Sequence, residues 1–326
     1  MVNAAAASRR NAGLLCGVTS SIFFSASGTF AKALTDAGFS PLQAVWLRIA
    51  GACLILVGAV LLSGPGSLVA LVHRRSAFGG VILFGLVAVA ACQALYFVAA
   101  SRLPVGIAIL LEFTGPVLVV LYQKLFRRQP VRRTAFLGIC LAMLGLCCVV
   151  EIWSGLSLDA LGLACGLGSG AGNAAYFLII DRLTGAADPL AITTVGMIVA
   201  CVVLLPPAMP WDAPWHVLGS SVPLAHHSIP GWLVALALVL FSTVVSYLLG
   251  GMAVQRLSGT VAAGLAYVEP VSACVIAWIL LGQRLSAVQI TGGLVVLLGA
   301  YIAQCSAAPT ESVHLASVEH VSPVGN

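Results

Sequence analysis

The sequence predicts an all-α integral membrane protein with ten transmembrane helices, built as two inverted five-helix repeats. Three observations predict it: a very apolar composition, long apolar runs without alternation, and a sequence pattern that recurs in the two halves. Of the 326 residues, 60% are hydrophobic and 8% are charged, whereas soluble domains average roughly 45–50% and about 25%. With 15 basic and 10 acidic side chains, the chain has too few charges for a soluble body and is too apolar to be disordered.

The apolar runs determine the number of spans. A membrane helix needs about 20 apolar residues, and runs such as Val81–Ala91 show none of the alternation that is typical of a transmembrane β-strand. Turn residues and charges separate the runs into ten predicted spans, at residues 13–33, 41–62, 78–100, 104–125, 134–152, 159–180, 189–208, 230–253, 259–281 and 286–305.

Three segments outside the apolar runs need their own interpretation. Residues 1–12 carry Arg9 and Arg10, which a secretory signal would also have, but the following run has the length of a span and lacks a convincing cleavage site, so we expect a retained first helix. Residues 209–229 hold three histidines and are rich in proline and tryptophan, which favours an interfacial loop over a metal site. Residues 306–326 are expected to form a disordered cytoplasmic tail.

The basic residues predict the orientation of the chain. Eleven Lys and Arg residues lie on the side shared by the N-terminus and the even-numbered loops, among them the cluster at 127–133. Only three, Lys32, Arg102 and Arg284, lie at the loops of the other side. Because short cytoplasmic loops carry the excess of positive charge, we expect both termini in the cytoplasm.

The two halves of the chain align with each other, which defines a first repeat at residues 13–152 and a second at 159–305. Since five is an odd number, the second copy enters the membrane upside down. The charges agree, because the repeat equivalent of the basic cluster at 127–133 keeps only Arg284. Inverted repeats are the usual construction of secondary transporters. The matching pairs are Arg102-Leu103 with Arg256-Leu257, Pro116 with Pro270, and Pro41-Leu42 with Pro189-Leu190.

Two carboxylates fall inside predicted spans, away from their ends. Glu112 lies four residues before Pro116, and Glu269 directly precedes Pro270. Ionisable groups in the membrane are costly and by default mark a functional site, and each proline frees a backbone carbonyl beside a carboxylate. A hydrogen bond that only fixes helix packing is the alternative for either glutamate. The pair beside equivalent prolines favours a role in proton exchange during transport.

Arg48 is a cation a few residues into the second predicted span. It either snorkels to the external surface, which its position near the end of the span favours, or faces a cavity and binds a substrate carboxylate. Lys32 has the same two interpretations. Further polar side chains would complete such a cavity, although each is also typical of interhelical hydrogen bonding. They are Gln93, Tyr96, Asn173, Tyr176, Ser242, Thr243, Ser246 and Tyr247.

Several of these motifs together resemble one family, the EamA-type drug/metabolite transporter superfamily. Within it, the run Leu-Glu-Phe-Thr-Gly-Pro at 111–116 looks most like the threonine/homoserine exporter branch, as do 162–176 and 242–247. The motifs that carry the resemblance are Arg-Leu-Pro-Val-Gly-Ile-Ala-Ile-Leu-Leu-Glu-Phe-Thr-Gly-Pro at 102–116, its echo Arg-Leu-Ser-Gly at 256–259 with Tyr-Val-Glu-Pro at 267–270, and Leu-Gly-Gln at 281–283.

This resemblance implies a ten-helix permease of the inner (plasma) membrane, with both termini cytoplasmic, which exports amino acids or related metabolites by using the proton gradient. The sequence departs from the family at one position. Relatives often have Glu in the Leu-Gly-Glu motif, where this chain has Gln283. If that acid contributes to gating or coupling in relatives, this chain works without it.

We therefore expect a secondary active transporter for small metabolites such as threonine or homoserine, and not an enzyme. A multidrug or other metabolite exporter of the same fold is the alternative; a passive channel and an intramembrane enzyme are weaker ones, since the chain has no His-Glu-x-x-His motif. The ten cysteines lie almost all in apolar runs without a Cys-x-x-Cys pair, which predicts packing residues. We expect a small-molecule substrate, protons and the lipid bilayer as partners, and no nucleic acid, cofactor or metal. A homodimer is left open.

Overall fold

The computed structural model is almost entirely helical. It describes residues 2–64, 66–126, 133–150, 159–183, 188–224, 227–256 and 265–307. The helices are α1 Val2–Asp36, α2 Pro41–Ser63, α3 Gly66–His73, α4 Arg75–Leu83, α5 Cys92–Arg102, α6 Val105–Glu112, α7 Gly115–Leu125, α8 Arg133–Val150, α9 Ala160–Leu183, α10 Pro189–Ala208, α11 His216–Gly219, α12 Gly231–Val239, α13 Ser246–Arg256, α14 Val268–Leu281 and α15 Ala287–Ala307.

Some predicted features lie outside the described residues. These are the basic positions 127, 128 and 132, the first part of the ninth predicted span at 259–264, and the tail from residue 308 onward. The first helix already begins at Val2, well before the predicted start at residue 13.

Five helices in the described part of the chain are long and apolar enough to cross a membrane. They cover Arg10–Asp36, Pro41–Leu62, Ala77–Arg102, Leu190–Ala208 and Gly231–Gly250, with 27, 22, 26, 19 and 20 residues. A membrane helix needs about 20 residues, so the prediction of an α-helical membrane protein is confirmed. Shorter apolar helices occupy four further predicted spans, at Val105–Val119, Phe136–Val149, Val268–Leu281 and Ala287–Ile302.

Two of the long helices change to π-helical geometry midway. Phe84–Ala91 joins α4 to α5 without a break, and Leu240–Val245 joins α12 to α13 in the same way. The two π segments lie at equivalent places in the two halves of the sequence. Such segments are rare and occur frequently at functional sites.

Helices of the two halves pack on each other in exchanged pairs. Helix α1 packs along α13, and α9, the corresponding helix of the second half, packs along α5. The pairs α2 with α10 and α8 with α15 each join corresponding helices of the two halves. A twofold relation between the halves produces this kind of exchange.

Glycines set the spacing between α8 and α15. A Cβ atom on Gly145 would lie 2.6 Å from the backbone nitrogen of Val296 and 2.7 Å from the carbonyl oxygen of Gly292. A Cβ atom on Gly292 would lie 2.9 Å from the Gly145 oxygen. The two backbones are therefore in direct contact, which is the packing that small residues permit in membranes.

The segment expected as a loop at residues 209–229 has regular structure instead. Between residues 209 and 230 the chain forms a 3₁₀ turn at Pro210–Asp212, helix α11 and a two-stranded antiparallel hairpin of β1 Ser221–Leu224 and β2 His227–Pro230. Val222 and Leu224 are buried while their neighbours in β1 are exposed. This alternation over four residues is too short to stand out in the sequence, but it is enough to seat the hairpin on the end of the bundle.

Candidate functional site

The fourth predicted span is interrupted where Glu112 and Pro116 lie. Helix α6 ends at Glu112, and α7 begins at Gly115 with Pro116 as its second residue. Because proline has no N–H, the carbonyl of Glu112, four residues earlier, loses its helical partner. The side-chain amide of Asn173 on α9 lies 3.5 Å from that carbonyl oxygen. The break thus leaves a backbone acceptor in the interior that a side chain of the other half covers.

The second half has a comparable interruption. Helix α14 begins at Val268, so that Glu269 and Pro270 are its second and third residues, and the backbone N–H of Glu269 donates to the carbonyl of Ala266 at 3.0 Å. Glu112 therefore precedes its helix break, whereas Glu269 follows one. Both carboxylates are only partly buried.

Arg48 lies in the interior, and the expectation that it snorkels to the surface is wrong. It is 2% exposed, because neighbouring helices cover this part of α2. Its Nε donates to Thr243 Oγ1 at 2.7 Å, Nη1 donates to Ser27 Oγ and to Gln93 Oε1 at 2.8 Å each, and Nη2 donates to the carbonyl of Ser242 at 3.2 Å. These partners come from both halves of the chain.

The groups in direct contact with the Arg48 guanidinium are neutral. Its guanidinium lies 4.8 Å from the ring centroid of Phe24 and 5.7 Å from that of Phe97, at cation–π distance. It forms no ion pair with any described residue. An arginine has five N–H donors, and four of them are used in these hydrogen bonds, so one on Nη2 has no partner among the described residues. Glu112 and Glu269 interact with this charge electrostatically without forming an ion pair with it.

Three buried hydroxyls have no hydrogen-bond partner among the described residues: Tyr96 Oη, Ser242 Oγ and Thr29 Oγ1. An unsatisfied buried polar group costs about 1–3 kcal/mol, so each calls for an explanation. Tyr96 Oη occupies the space that a Cβ atom on Gly28 would fill. The hydroxyls are groups that a polar ligand would satisfy.

Cys92 contacts Glu112 and was missed as a site residue. Its Sγ lies 3.6 Å from Glu112 Oε1 and 3.4 Å from the carbonyl oxygen of Ser169. No sequence pattern separates this cysteine from the nine others, because its contacts join residues of three different helices. Its position directly before Gln93 was the one available signal.

The π segments position these residues. Cys92, Gln93 and Tyr96 follow directly after the first π segment. Thr243 lies within the second, where its Oγ1 donates to the carbonyl of Leu238 at 3.0 Å while accepting from Arg48. Ser246 follows that segment, but its hydroxyl donates to the Phe241 carbonyl of its own helix at 2.8 Å.

The sequence also matches known proteins. The profile of the EamA-like transporter family fits it twice, at residues 11–151 and at residues 160–304. The chain belongs to the EamA-like transporter family. It is therefore a membrane transporter by family, which agrees with the prediction that it is not an enzyme.

The sequence is similar to several curated transporters. It is 34% identical over 199 residues to the threonine/homoserine exporter RhtA of Salmonella typhimurium strain LT2, an alignment over 60% of this chain that spans only 61% of the exporter's length. To RhtA of Escherichia coli K12 it is 32% identical over 225 residues, which is 68% of either chain. The uncharacterized transporter YwfM of Bacillus subtilis is 23% identical over 92% of this chain and 95% of its own.

A solved crystal structure shares the fold. It superposes with a TM-score of 0.58 at 15% sequence identity, over 90% of this chain and 97% of the other. At that identity the likeness extends to the fold alone.

Gln283, the departure from the motif of the EamA-type superfamily, forms a contact between the two halves of this transporter. Its Oε1 accepts the backbone N–H of Val105 at 2.9 Å. Val105 is the first residue of α6, where backbone donors have no helical partner. A glutamate would supply the same acceptor oxygen, so the substitution removes a charge without removing this bond.

Not all predicted site residues come together around Arg48. Gln93 contacts it directly, and Asn173 lies at the break beside Glu112. The ring of Tyr247 packs against that of Phe24, with the ring centroids 5.9 Å apart, and Phe24 in turn contacts Arg48. Tyr176 packs instead against Phe84, at 5.6 Å.

Proposed function

We propose that this chain is a secondary active exporter of small amino acids of the threonine/homoserine class, driven by the proton gradient. The observation that carries the proposal is Arg48, a buried cation with neutral partners and one remaining donor. An amino acid is a zwitterion, and its carboxylate is the natural partner for that guanidinium. The names of the RhtA relatives support the same substrate class.

The ammonium group of the substrate binds to the glutamates. Glu112 and Glu269 are the carboxylates at the two helix breaks, and either an ammonium group or a proton neutralises a carboxylate in a dry interior. Competition between substrate and proton for the same carboxylates couples export to the gradient. The unpartnered hydroxyls of Tyr96 and Ser242 suit the hydroxyl group of the substrate.

The architecture proposed for this mechanism is ten spans in two inverted repeats, residues 13–152 and 159–305, in the plasma membrane with both termini cytoplasmic. The exchanged packing of α1 with α13 and of α9 with α5 supports it, as do the π segments at equivalent positions. In such a protein the substrate site lies near the midplane between the repeats. Arg48 has this character, because its partners Ser27 and Thr243 belong to different halves.

The test is transport by the purified chain in proteoliposomes. Labelled threonine should accumulate against its concentration gradient when a pH gradient is imposed, with competition by homoserine. Glu112→Gln and Glu269→Gln should lose accumulation driven by the pH gradient, and at least one of them should retain substrate exchange at uniform pH. Asp212→Asn, at an exposed position outside the bundle, is the matched control.

Other outcomes contradict the proposal. If both glutamine variants accumulate threonine like the wild type, the glutamates do not couple protons. Flux that is independent of the pH gradient identifies a channel. Competition by lipophilic cations, with none by homoserine, identifies a multidrug exporter of the same fold.

A further inference from the structure

A cavity lies on the outside of the bundle, away from Arg48. It is a groove of about 630 Å³ between α14 and α15, with Leu110 of α6 as part of its floor. Its walls include Val275 and Trp278 on α14 and Ile290 and Leu294 on α15. Each of these four side chains is about half exposed, so the groove is open toward the surrounding lipid.

The groove has the length of one leaflet. Its lining runs along α14 from Pro270 to the turn at Gln283. At 1.5 Å per residue, the helix from Pro270 to Leu281 is about 16 Å long, and half of the hydrocarbon core is about 15 Å. An acyl chain that entered at the turn would reach the level of the helix break.

The mouth of the groove is positively charged. A smaller cavity of about 300 Å³ shares Gln283 and Arg284 with the groove and is also lined by Lys32 and Arg102. Lys32 pairs with Asp36 at 3.0 Å.

Of the three cations at the mouth, Arg284 alone has no charged partner among the described residues. Arg102 pairs with Asp159 at 3.1 Å. Arg284, in contrast, is exposed and forms no hydrogen bond or ion pair with any described residue. Among the described residues, two carboxylates therefore accompany three cations, and a net positive charge is left beside Arg284.

We propose that this groove binds one phospholipid of the surrounding bilayer, with an acyl chain between α14 and α15 and the phosphate on Arg284. An apolar groove that ends in a cationic mouth matches an amphiphile with an anionic head, and a guanidinium binds phosphate through paired N–H donors. A second copy of the chain fits less well, because two such mouths would bring like charges together. The neutral side chain of Gln283 belongs to the same arrangement, since a carboxylate there would repel the phosphate.

Native mass spectrometry of the purified full-length chain tests this site, with phosphatidylglycerol added after delipidation. The wild type should retain one phospholipid and should bind diacylglycerol with the same acyl chains much less. Arg284→Gln and Gln283→Glu should weaken retention about tenfold, the smallest effect expected for one charge-assisted hydrogen bond. Val275→Trp, which fills the groove, should also weaken it. The controls Arg133→Gln and Ile279→Trp, exposed positions outside the groove, should retain the lipid.

Each opposite outcome overturns the proposal. Equal retention by Arg284→Gln and the wild type would exclude the phosphate contact, and equal binding of diacylglycerol would do the same. Displacement of the lipid by inorganic phosphate alone would identify a site for free anions. Dimers that form in the wild type and are lost in Val275→Trp would identify the groove as an interface between copies. Size-exclusion profiles verify that each variant is folded, and Leu294→Trp replaces Val275→Trp if that variant is not.

Discussion

Replacing Arg48 by lysine tests whether this arginine binds the carboxylate of the substrate. Arg48 donates four hydrogen bonds to the protein, to Thr243, Ser27, Gln93 and the carbonyl of Ser242. Lysine keeps the positive charge but has three donors on a single nitrogen. Three donors are fewer than the four acceptors around this position, so none remains for a ligand.

The magnitude follows from the loss of one hydrogen bond to a charged group. Such a bond contributes about 1.5–3 kcal/mol, and every 1.4 kcal/mol is a factor of about ten in the dissociation constant. We therefore expect Arg48→Lys to bind threonine roughly ten- to a hundredfold more weakly than the wild type. The assay is scintillation-proximity binding of labelled threonine to the purified chain in detergent.

A control and a structural readout complete this experiment. Arg133→Lys makes the same replacement at an exposed position and should bind threonine like the wild type. Thermal melting of Arg48→Lys separates a loss of binding from a loss of the fold. If the folded Arg48→Lys variant binds threonine with wild-type affinity, Arg48 does not contact the carboxylate and the reasoning is refuted.

Three further predictions concern stability, measured as the melting temperature in detergent. Gly145→Ala should melt at a lower temperature, because overpacking costs about 1–3 kcal/mol. The control Gly58→Ala has no atom within 4 Å of its new Cβ and should melt at or above the wild-type temperature. Equal melting of the two variants would contradict the close contact of α8 and α15. Gln283→Glu should keep the wild-type melting temperature because it retains the acceptor for the first N–H of α6. Gln283→Leu should lower the melting temperature. An unchanged melting temperature for the leucine variant would show that this bond is dispensable. Asp159→Ala should lower it more than Asp159→Asn, because only the asparagine retains an oxygen for the 2.6 Å bond to the backbone N–H of Gly162 in the first turn of α9. The reverse order would show that this bond does not stabilise the start of α9.

The sequence predicts the helix breaks better than it predicts the centre of the bundle. Pro116 and Pro270 lack a backbone donor wherever they lie, so their effect is local and readable from one residue. The surroundings of Arg48 are not local, because its partners Ser27, Gln93 and Thr243 lie 21, 45 and 195 residues away. Distance from the end of a span does not reveal which helices cover a side chain, and for this reason the snorkelling interpretation was wrong.

Three other features left no pattern in the sequence that was long enough or distinctive enough to predict them. The hairpin at 221–230 was missed because each strand has four residues, and β1 includes Pro223. The contact between Cys92 and Glu112 joins two helices whose relative rotation depends on a π segment. No periodicity in the apolar run at 81–91 distinguishes a π segment from an α-helix.

Those π segments act as a one-residue phase shift in each of two helices. A π turn closes i to i+5 in place of i to i+4, and each residue of an α-helix rotates the direction of its side chains by about 100°. In a continuous α-helix, Gln93 would point about a quarter turn away from Arg48. The same shift in the second half sets the direction of Thr243 and Ser246. Two equal phase shifts thus turn both helices toward one central cation, and shortening either segment by one residue would disconnect its helix from it.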